Sequence, residues 1–350
     1  MIQFHSDNPS EIVAAVPYLL GFHPKESLIC LPRVAGPPVA RIDLPKEVGD
    51  YYALENGLVP MYERMPPQDL ILVAYGVDEE QCTRTLRFMQ GALKHTASTN
   101  VALYVNGEQW LDIDTRESGV VTLVDVDRVT VTAMESGVPR PVDSREALAS
   151  DFVGDGTAVA RELGFASDRW FRLSPPEVEA ELEWGAQRVE EYLQERIPLT
   201  DLEAARLLVI LPDGQARDGV LGGLQRSTAG PHLELWSDLS RRSPAEMRDW
   251  PLTFAALSAW VGGNGARALV ALEQLSTREG NNLAVLVAEV ATNAIPPKVW
   301  DDATRRPTAS PEAGITFLQS AMLGASPDPG RLHERDAPAA SSPTTPELDR

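Results

Sequence analysis

Short apolar runs alternate with stretches of helical spacing along the first 143 residues, and this order predicts a sheet with helices packed on it. Apolar runs at 27–31 and 39–44 are joined by a turn rich in Pro and Gly, which predicts an antiparallel pair. Two further β-type runs follow at 69–76 and 101–105. Apolar residues at helical spacing lie between or before these runs, at 9–20, 46–64 and 78–93. The predicted fold class is α/β, with a mixed N-terminal sheet and right-handed crossovers.

The segment 122–132 is rich in Val and Thr and predicts one more strand. Asp125 and Asp127 alternate within it, as Asp112 and Asp114 do just before it, and paired carboxylates of this kind can bind a divalent metal. A strand with one solvated face produces the same alternation. Because no third or fourth ligand can be named, the solvated interpretation is favoured and no metal site is expected.

After residue 143 the spacing of apolar residues changes from 2 to 3.6, which predicts a helical region over 144–300. Three helix starts place a hydroxyl at the N-cap and a Glu three positions later, at Ser174, Thr200 and Ser243. Residues 301–350 form a tail rich in Pro, Ser and Thr that we expect to be disordered. Within the tail, the side chains at helical spacing are Ile315, Leu318 and Met322.

Charge excludes one large class of partners. The 350 residues contain 31 Lys plus Arg and 51 Asp plus Glu, a formal net charge of -20. Because affinity for nucleic acid comes mostly from basic side chains on phosphates, we expect no nucleic-acid partner and no binding to anionic membranes. No window is apolar enough to span a bilayer, and the two cysteines, Cys30 and Cys82, fit no metal or redox motif. These features predict a cytoplasmic protein with two buried thiols.

Several stretches of the chain have the character of family motifs. The clearest is PYLLGFHPKESLICLP, at 17–32, which is followed by VARIDLP at 39–45. Shorter stretches are SREAL from Ser144, RDGVL from Arg217, and the closing stretch that contains WVGGNGARA. Together they resemble the motifs of the actinobacterial family named domain of unknown function 4192. The resemblance covers residues 1 to about 300 and implies one family unit across both halves. It carries no activity, substrate or catalytic residue over to this chain.

The turn at 21–27 gathers an imidazole, an amine, a carboxylate and a hydroxyl, in which His23 and Ser27 are candidates for acid and base roles. The turn enters a strand at its N-terminal end, whereas ligands of open α/β sheets lie outside the carboxyl ends. Its Gly, Pro and Ser residues are also those that a helix-to-strand turn requires. The structural interpretation is favoured over the catalytic one.

Residues at the carboxyl ends of the predicted strands form a second set of candidate site residues. Arg41 and Asp43 share one face of their strand, Tyr75 ends the next one, and Asn106 follows the third. Together a guanidinium, a carboxylate, a phenol and an amide could line a small polar crevice. An Arg41-Asp43 contact is equally an ordinary pair on one face of a strand.

Two other patterns have structural explanations that are favoured. The sequence GNGARA from Gly263 matches the letters of a dinucleotide-binding loop, but helical spacing on both sides predicts a helical hairpin instead. Four tryptophans of the helical half could form a partner-binding surface, although such residues are more often core: Trp236, Trp250, Trp260 and Trp300.

The sequence therefore favours a non-catalytic intracellular protein that binds or regulates a protein partner or a small ligand, with no cofactor. The alternative is an enzyme of unrecognised type with a polar site at the carboxyl edge of the sheet. An exposed apolar patch would favour the first hypothesis, and a closed polar pocket with a perturbed titratable group would favour the second.

Overall fold

A computed structural model describes residues 7–34, 37–136, 138, 140–293 and 295–304. These residues form six strands: β1 Ser27–Pro32, β2 Ala40–Asp43, β3 Asp69–Tyr75, β4 Ser98–Asn106, β5 Gln109–Asp112 and β6 Ser118–Val120. The first seven helices are α1 Pro9–Leu20, α2 Val48–Arg64, α3 Glu79–Leu93, α4 Leu123–Glu135, α5 Arg145–Ser150, α6 Thr157–Trp170 and α7 Pro175–Glu195. The others are α8 Asp201–Ile210, α9 Gly214–Leu221, α10 Ala229–Arg242, α11 Asp249–Val261, α12 Gly265–Glu273, α13 Asn282–Thr292 and α14 Lys298–Thr304.

The strands form one mixed sheet in the order β2-β1-β3-β4-β5-β6, which confirms the predicted α/β fold class. Strands β3 and β4 are parallel, and every other neighbouring pair is antiparallel. Because β1 runs antiparallel to both of its neighbours, β2 is parallel to β3 and β4. The carboxyl ends of these three strands therefore meet at one edge of the sheet.

The two crossover helices, α2 and α3, lie on the same face of the sheet. Each crossover moves in the same direction across the sheet, from β2 to β3 and from β3 to β4, so crossovers of one hand place both helices on one side. Leu58 of α2 and Met89 of α3 are buried there with Leu28 and Leu72 of the sheet. The parallel strands of the described sheet therefore have no strand-order reversal of the type that creates a ligand crevice in doubly wound folds.

The opposite face of the sheet is covered by α1, and its core continues into the helical region. Ile29, Val73 and Leu103 belong to the same hydrophobic cluster as Trp236 of α10 and Phe254 of α11. Helix α1 begins where Asn8 caps it and ends at Gly21, whose φ of 86° is the left-handed geometry that glycine adopts most easily. The apolar surface of the sheet and that of the helical region are thus buried in one continuous core.

Most predicted helix starts agree with the structure. Asp78 accepts a hydrogen bond from the Gln81 amide at the start of α3, and reciprocal capping boxes begin α7 at Ser174 and α8 at Thr200. The helix start predicted at Ser243 is wrong, because only a short 3-10 turn, Ala245–Met247, follows it and α11 begins at Asp249. The Ser243 hydroxyl donates instead to the Leu239 carbonyl of the preceding helix.

The strand predicted at 122–132 is wrong, since this segment forms α4. Thr122 and Asp125 form a capping box, in which the Asp125 carboxylate accepts from the Thr122 amide at 2.8 Å. Val129 and Ala133 then lie one turn apart and pack on α1. The strand that follows β5 is instead the three-residue β6.

Both cysteines and three of the four tryptophans are buried, as predicted, with Trp250 half-buried. Helix α14 extends to Thr304, four residues into the expected tail, and its Asp301 lies 4.0 Å from Arg226. The predicted disorder of the tail beyond Thr304 falls outside the described residues, as do Ile315, Leu318 and Met322. No described helix is both long and apolar enough to cross a membrane.

Candidate functional site

The two sets of polar candidates lie at the same edge of the sheet. Ser27, the first residue of β1, is paired in register with Asp43 of β2 and with Tyr75 of β3. The expectation that the turn at 21–27 lies away from the carboxyl ends is wrong, because β1 is antiparallel to the strands beside it. Its N-terminal end is therefore at the carboxyl edge of β2, β3 and β4.

A hydrogen bond joins the side chains of Ser27 and Arg41. The buried Ser27 hydroxyl donates to the Lys25 carbonyl at 2.6 Å and accepts from Arg41 Nε at 3.0 Å. Arg41 Nη2 lies 2.5 Å from the Asp43 carboxylate, which is exposed. The arrangement stabilises the corner between β1 and β2. Among the residues that the structure describes, no base contacts the Ser27 hydroxyl to activate it as a nucleophile.

Tyr75 is buried and connects the sheet to α1. Its hydroxyl donates to the Val13 carbonyl at 3.2 Å. Burial raises the pKa of Tyr75 far above its ordinary value, because the phenolate would have no water around it. A phenol held in this way positions a helix and is not available to transfer protons near neutral pH.

Asn106 lies on the other face of the sheet. Side chains alternate along β4, so Val105 faces α1 with Tyr75, while Tyr104 and Asn106 face α3. Asn106 is exposed, and burial is the main cause of the raised pKa of Tyr104 two residues before it. The structure therefore brings Arg41, Asp43, Ser27 and Tyr75 to one face, and places Asn106 on the opposite one.

His23 is exposed, and the main chain of its turn is held from both sides. The His23 amide donates to the Val142 carbonyl, and the Val142 amide donates to the Gly21 carbonyl, both at 3.0 Å. Glu26 adopts a left-handed φ of 42°, with its carbonyl accepting from the Leu44 amide and its carboxylate from the Val77 amide. The polar residues of the turn other than His23 and Lys25 are thus used to fix the backbone.

Three of the four carboxylates in the two Asp pairs are hydrogen-bonded within the fold. Asp112 is buried and accepts from the amides of Asp114 and Thr115, while Asp114 binds Arg87 and Gln90. Asp125 and Asp127 do not alternate on a strand, because both lie on α4. In the part of the chain that is described, no three His, Cys, Asp or Glu side chains are grouped as metal ligands.

The stretch from Gly263 forms the predicted helical hairpin. Helix α11 ends at Val261, Gly263 has a φ of 87°, and the Asn264 side chain caps α12 by accepting from the Arg267 amide at 2.8 Å. A Cβ added at Gly21 would lie 3.6 Å from the Asn264 side chain. The turn after α1 and the turn before α12 are therefore neighbours.

Sequence reasoning missed an exposed apolar surface that lies on α4. Four side chains are mostly exposed: Leu123 (81%), Val124 (65%), Val131 (56%) and Met134 (63%). They occupy one side of the helix, opposite the buried Val129 and Ala133, and we call them the α4 stripe. If the segment LVDVDRVTVTAME is drawn as a helix, these four side chains lie within about 100° of one another around its axis. The sequence could therefore have predicted the exposed stripe.

Asp127 lies in the middle of the α4 stripe. It is exposed, and its neighbours along the helix are Leu123 four positions before it and Val131 four positions after it. Among the described residues, no ion pair or hydrogen bond reaches the Asp127 carboxylate. An exposed apolar surface of this kind, with one charge in its middle, is typical of surfaces that bind a partner.

In a comparison with known families, residues 9–298 match the model described as domain of unknown function (DUF4192). Searches of curated proteins and of solved structures found no match. The matched range includes the whole sheet, the turn after α1 and the hairpin before α12, which agrees with one core that runs through both halves. The chain belongs to the DUF4192 family, a domain of unknown function.

Proposed function

We propose that this protein is non-catalytic and acts by binding a protein partner through the α4 stripe. The observation that carries the proposal is the exposure of four large apolar side chains on one side of a single helix. Exposed apolar residues scattered singly need no explanation, but a contiguous set is typical of interaction surfaces. A helix face of this width also suits the docking of another helix.

The hydrogen bonds and ion pairs of the polar candidate residues support the same proposal. The hydroxyls of Ser27 and Tyr75 both donate to main-chain carbonyls, and Arg41 is held by Ser27 and Asp43. The buried thiols of Cys30 and Cys82 have pKa values raised to about 12 by desolvation, so neither is a ready nucleophile. Two unpaired thiols also fit the cytoplasmic location that we propose, since reduced cysteines are the rule there.

The rival proposal is an enzyme with its site at the carboxyl edge of the sheet. One observation favours it: the antiparallel β1 brings the exposed His23 and Lys25 to the edge that also holds Arg41 and Asp43. Loss of cellular function in His23→Ala, with unchanged stability, would support the enzyme and count against the α4 stripe.

A nucleic-acid partner is not proposed, because the densest arginines of the helical region are used within the molecule. Arg241 pairs with Asp238, Arg242 pairs with Asp201 and Asp238, and Arg248 donates to main-chain carbonyls. This adds to the repulsion of phosphate by a net charge of -20.

The test is co-purification of the full chain from its host, compared with a charged variant of the stripe. Val131→Glu places a charge in the α4 stripe, and Phe171→Glu is the matched control, because Phe171 is 84% exposed just after α6. We expect quantitative mass spectrometry to find proteins that are depleted in the Val131→Glu sample and retained with Phe171→Glu. Equal recovery from both variants would refute the proposal.

A further inference from the structure

The position of Asp127 limits what can cover the α4 stripe. Leu123 and Val124 lie one turn before it, Val131 lies one turn after it, and Met134 lies two turns after it. A partner that buries these four side chains must also remove water from the Asp127 carboxylate. An unpaired carboxylate opposes such burial strongly, because desolvation is not repaid unless an opposite charge or hydrogen-bond donors meet it.

The chain itself supplies no cation for this carboxylate among the described residues. Arg128 is the one basic residue of α4, and it pairs with Glu11 of α1. Adjacent residues on a helix do not face each other, so Arg128 points to the flank of the stripe rather than to Asp127. The next charged residue towards the end of α4, Glu135, is acidic and exposed.

A second copy of this chain fits the stripe poorly. Two copies that meet across α4 on a two-fold axis bring their Asp127 carboxylates towards each other, on molecules that each carry a net charge of -20. A partner strand is also disfavoured, because β6 has only three residues and its Val120 carbonyl already accepts from the Ser10 hydroxyl at 3.4 Å. A helix of another protein remains the occupant that matches the spacing of the stripe.

We infer that the α4 stripe binds an amphipathic helix that carries a lysine or arginine in the middle of its apolar face. The apolar residues of that helix pack on Leu123, Val124, Val131 and Met134, and its cation forms a charge-assisted hydrogen bond with Asp127. The inference rests on the proposed function and names the partner class for the same surface. The charge pair gives the surface its specificity, because an uncharged or acidic helix leaves Asp127 buried without a partner.

The experiment is an affinity selection on the full chain with a displayed library of helical peptides about 18 residues long, which is enough to form a helix in solution. One face of the peptides is randomised. The selection is run in parallel on the wild-type chain, on Asp127→Lys and on Val131→Glu, with circular dichroism used to verify that each variant is folded. Individual peptides are then measured by fluorescence anisotropy.

On the wild-type chain we expect enriched peptides with apolar residues three and four positions apart around one Lys or Arg. On Asp127→Lys, the selected peptides should instead carry Asp or Glu at that position. On Asp127→Asn, the affinity of a selected Lys-containing peptide should fall by about tenfold, which is about 1.4 kcal/mol. Val131→Glu should remove binding of the peptides in all cases.

The experiment distinguishes failure of the inference about the cation from failure of the proposed function. Peptides that lose affinity on Val131→Glu but show no basic preference would overturn the inference about the cation and leave the proposed function standing. Peptides that bind Val131→Glu as tightly as the wild-type chain, or a selection that enriches none, would overturn both.

Discussion

The hydroxyls of Ser27 and Tyr75 at the sheet edge both end in hydrogen bonds to main-chain carbonyls, although the sequence places them among potential catalytic groups. Each hydrogen bond joins two parts of the fold, the β1 corner in one case and α1 in the other. Their residue types and spacing could be predicted from the sequence. Their partners could not, because Val13 and Lys25 contribute through carbonyl groups that every residue carries.

At the residue scale, burial predicts which leucines stabilise the fold. Leu28 of β1 is fully buried in the core that also contains residues of α2 and α3, so Leu28→Ala should lower the free energy of unfolding by about 2 to 5 kcal/mol. Leu123→Ala, the same change at a side chain that is 81% exposed, should alter it by less than about 0.5 kcal/mol. Urea denaturation of both variants measures the difference, and equal losses would show that Leu123 is buried in the free protein.

Because His232 is buried, we expect the folded protein to lose stability in mild acid. It is fully buried on α10, its Nδ1 accepts from the Trp236 indole at 3.3 Å, and desolvation lowers its pKa from 6.5 to about 4. Between these values the unfolded chain binds a proton that the folded chain does not, so stability falls as the pH drops from about 6.5 towards 4. The slope that His232 contributes approaches about 1.4 kcal/mol per pH unit.

Denaturant titrations at several pH values test this point, with His232→Gln as the comparison. The variant should have a shallower dependence on pH in the same window, whatever its stability at pH 7. Parallel curves for the two proteins would show that other groups cause the acid sensitivity.

At the element scale, α4 shows how far sequence reasoning reaches. Valines at 124, 126, 129 and 131 favour a strand by residue type and partly by alternation. The helix forms because Thr122 and Asp125 cap it and because Val129 and Ala133 pack on the small side chains Ala14 and Ala15 of α1. The capping pattern could be read from the sequence, whereas the packing depends on a helix more than 100 residues away in the chain.

The other elements of the sheet were predictable because their apolar runs are bounded by clear turns and caps. The directions of the strands determine which candidate residues lie at the same edge of the sheet. These directions were harder to predict from the sequence. Only the orientation of β1 places the turn at 21–27 beside Asp43 and Tyr75. Strand direction is set by the connections and by core packing together, so residue patterns within one strand do not reveal it.

One buried carboxylate contacts side chains from two neighbouring helices and so links α6, α7 and α8. Glu181 of α7 is 5% exposed and accepts from Arg206 Nε and Nη2, both at 2.8 Å, and from Arg169. The Arg206 guanidinium also lies 3.4 Å from the centroid of the Trp184 ring. Glu181→Gln leaves two arginines without their charge partner and should cost about 3 to 5 kcal/mol.

Glu179→Gln is the matched control, since Glu179 is an exposed residue of the same helix. It should change the free energy of unfolding by less than about 0.5 kcal/mol. Thermal and urea denaturation of both variants provide the measurement. A loss below about 1 kcal/mol for Glu181→Gln would mean that the three helices do not depend on this ion-pair network.

At the scale of the whole molecule, one hydrophobic cluster includes sheet residues and the helices α8, α10 and α11. The division into 1–143 and 144–300 stays a prediction. Because the two halves share one core, they should unfold together. We expect a single cooperative transition, with tryptophan emission and far-UV circular dichroism giving the same midpoint. Two resolved transitions, or a folded fragment of residues 1–143, would show that the halves are independent.

The most direct test of partner binding at the α4 stripe is oxidative footprinting of the full chain in extract of its host and in buffer. Met134, which is 63% exposed, reports on the stripe, and Phe171, which is 84% exposed just after α6, is the internal reference. We expect the oxidation of Met134 relative to Phe171 to fall several-fold in extract, because a bound partner shields the stripe. An equal ratio in extract and in buffer would contradict partner binding at the α4 stripe.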